Sequence, residues 1–180
     1  MKLYFQGLLL TLLLSFVVAC SNQDINTYKA NKPEFDMRHF FNGSLQAQGI
    51  VKDFYGEVTR TFQADLTATW QQDQLTLDEQ FIFDDGERQT RIWQITATQP
   101  GQYRGTASDV IGEAIGESAG NALHWRYTMD LNVDEATYRV NFDDWIYQVS
   151  DNVVINQTDI NKWGIKVGEV VLVITKVAND

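Results

Sequence analysis

One cysteine, two prolines and two histidines stand among 180 residues, and each scarcity closes off a class of protein. A single cysteine leaves no intramolecular disulfide to staple the fold, so a packed core must hold it. Two prolines beside 12 glycines make neither a disordered nor a collagen-like composition. His39 and His124 are far apart in sequence, and with Cys20 near the N-terminus they give too few ligands for a zinc site. The acidic pairs Asp84-Asp85 and Asp143-Asp144 lack the ligand spacing of a calcium loop. Neither a metal nor another cofactor is expected. Basic residues are outnumbered 14 to 24, for a net charge of -10. That balance excludes nucleic acid as a partner and excludes a polybasic grip on anionic headgroups. No apolar run reaches the roughly 20 residues of a transmembrane helix. What remains is 44% hydrophobic and 12% aromatic residues, material for one domain with a substantial core.

The longest apolar run, Gly7 to Ala19, follows Lys2, the only charge in the first 19 residues, and ends at Cys20. A basic start, a short apolar run and a small residue before the cut are the pattern of a secretion signal. Val17-Val18-Ala19-Cys20 resembles the lipobox of bacterial lipoproteins, with Val where Leu is commoner. The resemblance implies cleavage before Cys20, diacylglycerol on its sulfur and a fatty-acylated, palmitate-type N-terminus. Several acyl chains, at about 0.8 kcal/mol per buried CH2, hold a protein to a membrane where one chain does not. Ser21 rather than Asp follows the cysteine, which by resemblance to Gram-negative sorting points to the periplasmic face of the outer membrane. Residues 1–19 are therefore expected to be a signal peptide, 20–34 a lipidated cysteine with a polar tether, and 35–180 a single domain.

Within that domain the period is two. Phe62, Ala64, Leu66, Ala68 and Trp70 share a face opposite Thr61, Gln63, Asp65, Thr67 and Thr69, and Val58 extends the apolar side. Leu75, Leu77, Phe81 and Phe83 follow, then Trp93 and Ile95, Tyr103 and Ala107, and the run Leu123 to Val133 at odd positions. Tyr138, Val140 and Phe142, then Trp145, Tyr147 and Val149, complete the inward set, and Val170 to Lys176 is the last strand. Turn residues separate them at Asp85-Gly86, Pro100-Gly101, Asp134-Glu135 and Asp151-Asn152. This predicts an all-β, antiparallel up-and-down barrel of 8–10 strands, with a two-sheet sandwich as the alternative.

One hairpin register follows from parity alone. Apolar residues before and after Asp85-Gly86 are odd-numbered on both sides, so facing positions must have an even sum. A three-residue loop, Asp84-Asp85-Gly86, satisfies this and places Leu77 opposite Trp93 and Glu79 opposite Arg91. Glu79 and Arg91 thus sit on faces that are otherwise apolar. They are either a polar anchor for a ligand or a structural ion pair, in which case Glu79→Ala would strand a buried Arg91 and unfold the domain. Arg60 also points inward, at the rim near Asp84-Asp85. Trp93 and Tyr127, with Trp70, Trp125, Phe142, Trp145 and Tyr147, would line a hollow barrel or fill a solid one.

Gly116-Glu117-Ser118-Ala119-Gly120 matches the G-x-S-x-G of a nucleophile elbow, but a strand follows where a helix is required. The order acid-then-histidine is also missing, since no Asp or Glu lies between Ser118 and His124. The glycine repeat at 112, 116 and 120 reads as helical turns with a small-residue face, as a flap over the barrel mouth, or as a surface connection. No catalytic constellation remains, and a non-enzymatic protein is expected.

Taken together, Phe62 to Trp70, Leu77-Asp78-Glu79-Gln80-Phe81, Arg91-Ile92-Trp93, Ala107 to Gly112, Gly120-Asn121-Ala122-Leu123, Asp144-Trp145 and Asn156 to Gly164 resemble the bacterial lipoproteins of the DUF3833 family, a domain of unknown function. The resemblance spans about Pro33 to Lys176. It implies a lipoprotein with a lipocalin-like or calycin-like barrel and carries over no catalytic residue. The expected function is a binder or carrier of a small apolar ligand such as a fatty acid or lipid, with Arg60, Glu79, Arg91, Trp93 and Tyr127 as candidate contacts. A filled barrel acting as an envelope assembly factor is the alternative. The membrane, through Cys20, is the one expected partner besides the ligand.

Overall fold

The computed structural model describes residues 23–133 and 136–177, so the signal segment, Cys20 and the expected Asp134-Glu135 turn lie outside the described residues. Ten strands follow one another: β1 (Gly43–Asp53), β2 (Val58–Gln71), β3 (Gln74–Phe83), β4 (Arg88–Gln99), β5 (Gln102–Thr106), β6 (Val110–Ala119), β7 (Ala122–Val133), β8 (Ala136–Ser150), β9 (Val153–Lys162) and β10 (Ile165–Lys176). Each pairs antiparallel with its neighbours in the chain, and β10 pairs back onto β1. The sheet is a closed barrel, not a sandwich. Closure leaves no edge strand, which removes the usual route to edge-to-edge association. Among the described residues no helix is long and apolar enough to cross a membrane.

The β3–β4 hairpin has the register that parity requires. Leu77 pairs with Trp93 and Glu79 with Arg91. Phe83 N–H donates to the Glu87 carbonyl at 3.0 Å, closing a three-residue loop in which Gly86 takes φ +86°. That left-handed conformation suits glycine because it has no Cβ to clash.

Four readings of the sequence change. The glycine segment from Gly112 to Ala119 is strand β6, with Gly120 in the turn that follows, not a helix, flap or long connection. Strand β9 is built on Val154, Asn156, Thr158 and Ile160, whose two polar members hid its period, and β1 precedes the first strand expected. On β8 the inward face does not switch at Trp145: it continues through Val140, Phe142, Asp144, Ile146 and Gln148, and Tyr138 and Val149 are exposed. Val58, at the end of β2, is exposed as well.

The fourth change explains the third. Residues 24–34, expected as a tether, lie against the barrel. Asp24 caps a short 3₁₀ turn, Ile25–Tyr28, by accepting from Asn26 N–H at 2.9 Å. The Tyr28 ring packs 5.8 Å from Trp145 and 5.4 Å from Tyr147, while Gln23 Nε2 donates to the Tyr147 hydroxyl at 2.6 Å. Trp145 and Tyr147 thus face outward and are covered by the N-terminal segment, so their apolar character mimics an inward face. Gly120 makes room for this crossing: a Cβ there would stand 1.7 Å from the Tyr28 carbonyl oxygen.

The segment then closes one end of the barrel. Asp36 caps helix α1 (Met37–Phe40) through the N–H groups of Arg38 and His39. Met37, Phe40 and Phe41 are buried there, each aromatic contributing about 2–3 kcal/mol by burial. Trp70 Nε1 donates to the Phe41 carbonyl at 2.7 Å, and Lys176 Nζ to that of His39 at 2.6 Å, fastening the plug to β2 and β10.

Candidate ligand-binding site

The barrel is hollow. A cavity of about 610 Å³ runs from Met37 and Phe41 at the plug to Arg60, Asp85, Glu87 and Gln89 at the opposite end, where it reaches exposed residues. That volume lies within the ~300–1,000 Å³ of small-molecule sites. The mouth carries exposed aromatics at the loop tips, Phe54, Tyr55 and Trp163.

The wall is aromatic on one side. Trp93 on β4 meets Trp125 and Tyr127 on β7 edge-on, at 5.6 and 5.2 Å, and Tyr127 stacks on Phe142 of β8 at 4.9 Å. These arrangements suit ring quadrupoles and give the wall a fixed shape. Trp125 can lie flat because the strands behind it carry Gly105 and Gly116. Gly105 of β5 and Gly116 of β6 thus seat a ring, whereas Gly112 takes a left-handed φ of +74° with open space beside it.

The polar groups are few and deep. Glu79 and Arg91 both line the cavity, but they do not form the expected ion pair. Arg91 Nη2 lies 2.8 Å from Asp109 Oδ2, and its Nε donates to the same oxygen at 2.9 Å. Asp109 comes from the β5–β6 loop and could not be placed from sequence. Glu79 is instead hydrogen-bonded by the Trp93 side chain and lies within the field of Arg91. Desolvation dominates over both, and the Glu79 pKa is pushed up to about 7.

Across the barrel, Asp144 of β8 lines the same cavity and is 6% exposed. Burial also raises its pKa to about 7, against the opposing pull of a Thr158 hydrogen bond and of Arg91. Burial and the nearby Asp144 hold Tyr127 well above an ordinary phenol, so it stays neutral. Asn156 and Thr158 of β9 complete this side. Asp144, Asn156 and Thr158 were missed in the sequence; an inward polar residue in an otherwise apolar alternation was the available signal.

Of the residues predicted from sequence, Arg60, Glu79, Arg91, Trp93 and Tyr127 all line the cavity, as do Trp125 and Phe142. Trp70, Trp145 and Tyr147 do not. Arg60 sits at the mouth, bonded to Asp85 and Glu87 with its guanidinium 3.8 Å over the Phe83 ring. Ser118 of the G-x-S-x-G string lies on β6 with no histidine positioned beside it; His124 Nε2 is 2.8 Å from Asp143 and stacks on Trp145 outside the barrel.

A family model described as "Protein of unknown function (DUF3833)" matches residues 14–176. The chain belongs to the DUF3833 family. No functionally curated protein matches it. Among solved structures, the DUF3833 chain is similar to the S-type phycobiliprotein lyase CPES from Guillardia theta. The TM-score is 0.58 at 8% identity, covering 88% of this chain and 99% of that one. At that identity the likeness is one of fold: this ten-strand antiparallel barrel resembles the lipocalin-like, calycin-like fold.

Proposed function

We propose that this protein is a lipid-anchored, non-enzymatic carrier of one small apolar molecule. The observation that carries the reading is the cavity: about 610 Å³, walled by Trp93, Trp125, Tyr127 and Phe142, plugged at one end and open at the other. A filled barrel, as an assembly factor would have, leaves no such space. The fold shared with a phycobiliprotein lyase is compatible with this use and lends the fold alone.

The anchor in this reading is Cys20, in the outer membrane. Gln23 is already bonded to Tyr147 at the closed end of the barrel, three residues from Cys20, a reach of about 10 Å at most. The closed end then lies against the bilayer and the mouth faces away from it, towards whatever partner delivers or takes the ligand.

Displacement of the neutral fluorophore N-phenyl-1-naphthylamine tests the carrier. One equivalent should bind the purified chain with micromolar affinity, and Leu172→Trp, which intrudes into the cavity, should weaken binding while the chain stays folded. Equal binding by the variant, or no binding by the folded protein, defeats the reading. Cys20→Ala should move the protein from the membrane fraction to the soluble fraction; unchanged membrane association would remove the anchor.

A further inference from the structure

Both cations that line the cavity already have partners. Arg60 holds Asp85 and Glu87, each at 2.8 Å, and Arg91 holds Asp109 at 2.8 Å. At the mouth Arg60 Nε is a buried donor without a partner, but deeper in the cavity the unpartnered buried side-chain atoms are acceptors. Asp144 Oδ1 and Asn156 Oδ1 are buried with no hydrogen-bond partner, and their residues are 6% and 8% exposed. Asp144 pairs with Thr158 and Asn156 with Ile146 across the β8–β9 ladder, so the two orphan acceptors belong to neighbouring inward positions. Glu79 faces the same space from β3, and its charge adds to the burial that raises the Asp144 pKa.

Buried acceptors without donors are rare in native proteins because each forfeits its desolvation energy. Two of them on one wall of a cavity ask for a donor from the occupant. A carboxylate head would bring further acceptors and a negative charge, and would meet no uncommitted cation. The fatty acid considered from the sequence is therefore the wrong head group.

We infer that the cavity recognises an apolar or aromatic molecule bearing a protonated amine or amidine, whose N–H groups bond Asp144 Oδ1 and Asn156 Oδ1 with Glu79 as second counter-charge. This rests on the carrier reading and specifies its ligand class. The aromatic wall of Trp93 and Tyr127 suits the same chemistry, since a cation is attracted to ring faces.

Three probes of equal chain length separate the alternatives: dodecylamine, dodecanol and dodecanoate, titrated at pH 8 into the purified chain and followed by tryptophan fluorescence. Dodecylamine should bind at least ten-fold more tightly than dodecanoate. Asp144→Asn should weaken the amine about ten-fold and leave dodecanol within two-fold. Glu79→Gln serves as the second variant and should weaken the amine in the same sense, so the test survives if one of them does not fold. Dodecanoate binding as well as the amine, or an amine preference unchanged in both variants, overturns the inference while leaving a carrier. Failure of all three probes to bind the folded protein overturns the carrier reading, and this inference with it.

Discussion

Arg91 turns its guanidinium onto Asp109, 2.8 Å away in the β5–β6 loop, although its partner across the β3–β4 ladder is Glu79. The loop thereby neutralises a charge set in the barrel wall. Removing one partner of a fully buried pair typically costs about 3–5 kcal/mol. Here the side chains keep 20% and 33% of their exposure, so Asp109→Ala should cost about 2 kcal/mol. Glu79→Gln leaves the pair intact and should change stability at pH 6 by less than about 1 kcal/mol. Urea denaturation of both variants checks the order. If Glu79→Gln were the more damaging, Glu79 and not Asp109 would be the group that compensates Arg91.

Glu79 and Asp144 set the pH profile of stability. Both titrate near pH 7 in the folded chain because burial penalises their charged forms, against about 4 in an unfolded one. Between those values the folded state holds more protons than the unfolded state, so stability falls as pH rises from about 4.5 to 7 and then levels off. The loss is on the order of 3–4 kcal/mol per group at most, and less than additive because both interact with Arg91. Glu169 runs the other way. Lys52, Gln157 and Lys166 outweigh its burial and hold it below the ordinary range, so its contribution is lost only in acid. Thermal melts from pH 4 to 9 should therefore show a Tm maximum near pH 5, and the double variant Glu79→Gln, Asp144→Asn should be flat from pH 5 to 8. A wild-type Tm that rises across that interval would contradict the burial of these carboxyls.

The same residues that make the cavity polar made parts of the fold hard to read. The β3–β4 register was legible because Leu77, Phe81, Trp93 and Ile95 keep one parity and the glycine of a three-residue loop fixes the sum. Strand β8 was not, because Asp144 and Gln148 interrupt its inward face while Tyr28 makes an apolar face of Trp145 and Tyr147 on the outside. Strand β9 was obscured by inward Asn156 and Thr158, and β6 by its glycines, of which Gly116 leaves its side-chain space to the Trp125 ring of the next strand. Alternation reports which face is dry. It fails where a wall is wet by design, or where a distant segment dries the outer face.

That ring gives a sharp packing test. A Cβ on Gly116 would lie 2.4 Å from the Trp125 ring, and one on Gly105 would lie 2.8 Å from it. Neither strand can retreat, since both are held in the ladder on each side. Gly116→Ala should therefore cost about 2–3 kcal/mol, at the upper end of overpacking penalties. Combining it with Trp125→Leu should recover more than half of that loss, relative to Trp125→Leu alone, because the clash has gone. Additive losses in the double-mutant cycle would mean that the glycine serves the backbone and not the ring.

The docked N-terminal segment is the remaining claim that a single substitution can probe. Trp145 is 9% exposed although it faces out of the barrel, because Tyr28 covers it while His124 stacks at 4.1 Å beside it. Tyr28→Ala should uncover the indole and cost about 2 kcal/mol, the burial of one ring side chain. The expected signature is a red-shifted tryptophan emission with greater acrylamide quenching. Gly120→Ala should do the same from the opposite partner, by pushing on the Tyr28 carbonyl. Probe binding in the cavity should stay unchanged in both, since Trp145 does not line it. A loose tether predicts neither change. The distinction matters for the anchor. With the segment docked, the described chain begins at Gln23 beside the closed end of the barrel, and the proposed anchor would then turn the mouth away from a bilayer, whereas a free tether would not fix that orientation.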